Sequence, residues 1–99
     1  MAILVRYAPP GMTRAQYDQA SEMVQTRLQW PADGLILHVC FGSDGDMRVS
    51  EVWESREQLE AFQEGLMPVL TEAGIQVEGR EPEYLDVHAI QAREYSSTG

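Results

Sequence analysis

The chain has 99 residues, with 16 acidic and 7 basic side chains and a formal net charge of −9. That length predicts one domain over residues 1–91 with a polar tail at 92–99, and that charge repels phosphate backbones and anionic lipid, which sets aside nucleic-acid and membrane-surface roles. Cys40 is the only cysteine, so no disulfide forms within the chain; with no run of membrane-span length and no signal-like h-region, a cytoplasmic location is expected.

Residues 2–7, AILVRY, suit a strand, and the two prolines that follow cannot continue a ladder. Thr13 and Gln16 form a capping-box pattern, and Tyr17, Ala20, Val24 and Leu28 then recur at helical spacing. WPADG (30–34) ends that helix, and LILHVCFG (35–42) is the second strand. The Asp-Gly signal in SDGD (43–46) predicts a hairpin whose return strand is MRVSEVWE (47–54). Ser55 and Gln58 repeat the capping pattern ahead of a second stripe at Leu59, Phe62, Leu66 and Leu70. Pro68 lies inside that stripe and predicts a kink or break near Gly65–Met67, with a short last turn opening at the proline. Residues 72–82 read as a loop, and the alternation in EYLDVHAI (83–90) as the last strand.

The order β-α-β-β-α-β is the ferredoxin-like α+β pattern, an antiparallel sheet in strand order 4-1-3-2 with both helices on one face. The other face, expected to carry Leu4, Ile36, Cys40, Trp53 and Ile90, would be an exposed apolar patch of a kind monomers seldom tolerate. A second copy in a two-fold homodimer is the simplest cover.

The chain resembles the dimeric α+β barrel superfamily, and within it the antibiotic-biosynthesis-monooxygenase-like domains. EVWESREQLEAF, the Pro-Gly before the first helix and Gly34 before the second strand carry the likeness, which spans residues 2–91. The resemblance implies two sheets packed face to face, with a pocket in each protomer between its sheet and helices or toward the barrel interior, and activities from cofactor-free oxygenation of polyketide aromatics to haem degradation and isomerisation. The haem-degrading branch places a histidine on the second helix, and residues 56–71 contain none. The oxygenase branch surrounds an aromatic substrate with Asn, Trp, Tyr and Arg. Trp53 matches, whereas Val49 stands where the strand Asn belongs.

Strand alternation groups Ile36, His38 and Cys40, and also Tyr84, Asp86, His88 and Ile90. If the wholly apolar rows face the helices, then Arg6, His38, Cys40, Tyr84, Asp86 and His88 point the other way. The row Met47-Val49-Glu51-Trp53 is apolar enough to face the helices too, but the expectation adopted is that Glu51 and Trp53 line a barrel-side cavity. Glu51 or His38 would serve there as the base for proton abstraction or oxygenation of a compact apolar or aromatic substrate. Trp53 would be the wall, and Arg6, Cys40, Ile36, Tyr84 and His88 the remaining substrate contacts. The alternatives stay open: Glu51 in a structural ion pair with Arg6, and His38 and His88 hydrogen-bonded at a subunit contact. With them stands a non-catalytic dimeric binding module. No metal or cofactor is expected, because His38 and Cys40 have no further ligand at metal spacing, GSDG is a hairpin turn and not a phosphate cradle, and no nucleophile elbow is present.

Overall fold

The computed structural model describes residues 1–93. In chain order the elements are β1 (Ile3–Tyr7), α1 (Arg14–Arg27), β2 (Leu35–Ser43), β3 (Asp46–Trp53), α2 (Arg56–Glu72) and β4 (Glu83–Asp86). The four strands form one antiparallel sheet in the order β2-β3-β1-β4, as the sequence pattern predicts. The fold is α+β and ferredoxin-like.

Local chemistry sets the element boundaries. The Thr13 side chain accepts from the Gln16 backbone, and the Gln16 amide oxygen accepts from the Thr13 backbone, a complete capping box. Ser55 also accepts from Gln58 N, but the Gln58 side-chain oxygen takes the Ser55 hydroxyl proton and leaves the backbone. β2 and β3 are joined through Asp44-Gly45, with Gly45 at φ 87°. At Gly42 a Cβ would come within 2.6 Å of the Asp46 carbonyl oxygen, so the hairpin closes only on glycine.

Two expectations are corrected. α2 runs unbroken through Pro68. Pro68 and Glu64 are both exposed, so the carbonyl that loses its helical partner lies on the solvent side. Burial of Val69 against the core holds the last turns in place. β4 ends at Asp86, four residues before the expected end, and Val87 N instead donates to the Ala2 carbonyl beyond β1. His88 and Ile90 therefore lie outside the sheet and exposed. The last six residues of the expected tail, 94–99, lie outside the described residues.

The register decides which side of the sheet each residue takes. Ile3, Val5 and Tyr7 oppose Trp53, Glu51 and Val49, and His38 and Cys40 oppose Glu51 and Val49. Opposed residues share a face, and this one packs on the helices through Met12, Ala20, Val24, Val69 and Leu59. Trp53, Cys40 and His38 are thus on the helix side, not on the bare face. The bare face carries Leu4, Arg6, Val52 and the row Leu37-Val39-Phe41, whose last three members are 50%, 41% and 38% exposed. A register shift between Leu35 and Leu37 leaves Ile36 exposed at the irregularity. The wholly apolar row of β2 faces outward because the polar members of the other row are hydrogen-bonded inside.

Candidate functional site

β3 places Glu51 in the centre of the helix-side face, where it is 3% exposed. Burying a carboxyl group is costly unless donors meet its oxygens. Trp53 lies two residues on, on the same face, and its indole N–H donates to Glu51 Oε1 at 3.1 Å. His38, opposite on β2, has Nδ1 2.6 Å from Oε2. An indole nitrogen can only donate, and a carboxylate can only accept, so the carboxylate takes two donors and His38 carries its proton on Nδ1. In the neutral ring Nε2 is then an acceptor. It receives the Tyr17 hydroxyl at 2.7 Å from α1. The result is a hydrogen-bonded chain Tyr17–His38–Glu51–Trp53 spanning helix and sheet.

Aromatic rings hold the imidazole. Tyr17 stacks on it at 6.1 Å and 26°, and Trp30 meets it edge-on at 5.2 Å and 89°. Phe62 from α2 packs on both Trp30 and Trp53. Burial pushes the Tyr17 hydroxyl up to about 12, with Cys40 and Glu51 adding to the effect. Tyr17 therefore holds its proton at neutral pH and can donate it to the Nε2 of a neutral imidazole.

Tyr17, His38 and Glu51 of this hydrogen-bonded chain, but not Trp53, border an apolar cavity of about 90 Å³ between the sheet and the helices, whose walls include Met12, Val24, Val49, Leu66, Leu70 and Ile75. Beside it lies a larger cavity of about 430 Å³ under α2 and the loop before β4. Gln63 Nε2 donates there to the hydroxyls of Tyr7 (2.9 Å) and Tyr84 (3.1 Å). The Arg56 guanidinium lies 4.3 Å over the Tyr84 ring.

Of the residues singled out from sequence, the structure brings Glu51, His38 and Trp53 together, on the opposite side of the sheet from the one expected. Cys40 is half-buried on the same face, and burial pushes its thiol up, so it remains protonated. Tyr84 borders the larger cavity, while Ile36 and His88 are exposed and apart from the cluster. Arg6 is on the bare face and pairs with Glu83 at 3.6 Å, which overturns the Arg6–Glu51 ion pair: adjacent strands put the two side chains on opposite faces. Tyr17, Trp30, Phe62 and Tyr7 complete the site. Tyr17 was legible as a member of the α1 stripe, but its bond to His38 depends on how helix and sheet meet.

No family model matches the chain, and no curated protein matches it. Solved structures do. SnoaB, a cofactor-independent oxygenase from Streptomyces nogalater, aligns with TM-score 0.64 at 11% identity over 93% of this chain and 97% of that one. The chain has the fold of the antibiotic-biosynthesis-monooxygenase-like proteins. Rv0793 from Mycobacterium tuberculosis aligns with TM-score 0.61 at 16% identity, over 92% and 97% of the two chains. A candidate antibiotic biosynthesis monooxygenase from Deinococcus radiodurans gives 0.51 at 12% identity, over 98% and 100%. In this monooxygenase-like fold, Glu51 and His38 equip the space between sheet and helices.

Proposed function

We propose that this protein binds a compact apolar or aromatic molecule between its sheet and helices and abstracts a proton from it without a cofactor. His38 is the base and Glu51 the residue that positions it. The observation that supports this most is the His38–Glu51 pair at the edge of an apolar cavity, with Nε2 directed away from the carboxylate. A buried acceptor fixing Nδ1–H makes Nε2 the ring's proton acceptor once a substrate displaces the Tyr17 hydroxyl from it, and the carboxylate stabilises the imidazolium that results. The Tyr17 hydroxyl occupies Nε2 and marks where an acidic phenol or enol would sit.

With dioxygen as co-substrate the chemistry balances. His38 takes a proton from an activated ring CH₂ and the electron pair delocalises into the ring. Dioxygen adds at that carbon with the imidazolium proton to give a hydroperoxide, which loses water and leaves a carbonyl. A second copy covering the bare sheet face belongs to the same proposal, supported by the exposed Leu37-Val39-Phe41 row.

The competing reading is a non-catalytic binding module, favoured by one observation: every polar atom of the Tyr17–His38–Glu51–Trp53 chain already has a partner. Binding of 4-nitrophenol separates the two. A working base turns the bound probe into its yellow phenolate at a pH where the free probe is largely protonated, and His38→Gln retains binding but loses the colour. Binding without ionisation in the wild-type protein would leave only the module.

A further inference from the structure

The cavity at His38 is about 90 Å³, smaller than the roughly 150 Å³ apolar cavity that accepts a benzene ring. A ring with its acidic edge at His38 therefore extends beyond this cavity into neighbouring space. The room lies next door. The 430 Å³ cavity shares Tyr7, Pro9, Leu66 and Leu70 with the first, so side chains alone separate the two.

The larger cavity differs in chemistry. Gln63 donates to the oxygens of both Tyr7 and Tyr84, and among the described residues neither hydroxyl gives its own proton to an acceptor. Burial raises the Tyr7 hydroxyl far above its ordinary value, so that proton stays in place. Arg80 is fixed to the Ala8 carbonyl through Nη1 at 3.1 Å, with its other N–H groups unassigned among the described residues. Two hydroxyl donors and a guanidinium call for an oxygen acceptor. Glu64 borders the same cavity and opposes a full negative charge on the guest, while Glu60 beside it is paired with Arg56 at 3.0 Å. A neutral carbonyl satisfies both conditions.

We infer that the two cavities form one binding tract for an elongated substrate, whose acidic ring lies at His38 and whose side chain ends in a neutral carbonyl held by Tyr7, Tyr84 and Arg80. This rests on the proposed reading of the His38 cavity and names the substrate class for it. The tract holds a single ring at His38 and favours a longer molecule, apolar over the Leu66–Leu70 partition and polar at its far end.

The test uses 4-nitrophenol and three ortho-pentyl derivatives, ending in a methyl ketone, its isosteric alkene or a carboxylate, with affinity read from tryptophan fluorescence. Both neutral chains should bind more tightly than 4-nitrophenol, and the ketone roughly fivefold more tightly than the alkene, the worth of one or two neutral hydrogen bonds. That ratio should fall to near one in Arg80→Met and Tyr84→Phe. Val77→Trp, which fills the cavity from an exposed position, should remove the gain from any chain. Chains that add no affinity in the wild-type protein overturn the tract, as does a ketone preference that survives both polar substitutions. A carboxylate preferred over the ketone overturns the neutral-carbonyl assignment. Phenolate colour is read separately. Its loss with the ketone preference intact defeats the His38 base and supports the tract, whereas colour without chain dependence defeats the tract alone.

Discussion

A buried carboxylate with a donor on each oxygen is a different object from one paired with an exposed guanidinium. Glu51 receives Trp53 on Oε1 and His38 on Oε2, so in the proposed mechanism its role is to fix the imidazole. In Glu51→Gln the amide oxygen can serve the indole, which turns the NH₂ toward Nδ1 and forces the other tautomer, with N–H at Nε2. The variant should fold with a loss of about 1–3 kcal/mol and bind 4-nitrophenol without ionising it. Full colour from this variant would show that Glu51 does not set the tautomer. Arg6→Met should cost only about 0–1 kcal/mol in a thermal melt, because the Arg6–Glu83 pair is half-exposed. A second consequence concerns alkaline pH. Tyr7 and Tyr17 both titrate above the ordinary value of 10 when folded. Their neutral forms contribute stability that is fully present below pH 10 and is lost as pH rises toward the folded values. Denaturant midpoints should therefore fall above pH 10 in the wild-type protein and fall less steeply in Tyr17→Phe.

At the scale of elements, the parts of the fold governed by neighbouring residues were legible. Thr13 with Gln16, Asp44-Gly45 and the stripe through Leu59 are short-range chemistry, and each lies where the pattern puts it. The faces of β2 and β3 were not. Alternation separates two rows but does not say which is inside, and the rule that the apolar row goes in fails where polar residues satisfy one another. His38 and Glu51 do so, while Leu37, Val39 and Phe41 stay outside. The shift between Leu35 and Leu37 adds an irregularity that composition does not announce. Gly34 shows the opposite case, a single residue whose role the fold makes specific. It has φ 88°, its carbonyl accepts from Glu54 N at 2.8 Å, and a Cβ there would collide with the Gln58 side chain. Gly34→Ala should cost about 1–3 kcal/mol through backbone strain and displacement of Gln58. A melt unchanged from wild type would show that Gln58 moves freely and that the junction is soft.

On the proposed reading the whole molecule divides its two sheet faces between two tasks. Between sheet and helices lie His38, the aromatic rings around it and both cavities. On the far side Leu37, Val39, Phe41 and Leu85 remain 38–50% exposed, a surface that a second copy would cover around a two-fold axis. A dimer built this way leaves the His38 cavity within one protomer, so association and chemistry can be separated. Sedimentation at micromolar concentration should give twice the monomer mass for the wild-type protein. Val39→Asp, in the middle of the exposed row, would bury a charge in the interface and should shift the protein toward monomer. Its side chain points away from His38, so the monomer should still bind and ionise 4-nitrophenol. A wild-type monomer would remove the dimer and leave the bare face without its expected cover. A dimer unaffected by Val39→Asp would place the interface elsewhere. Loss of both association and ionisation in that variant would tie the site to the second copy, against a sheet whose two faces act independently.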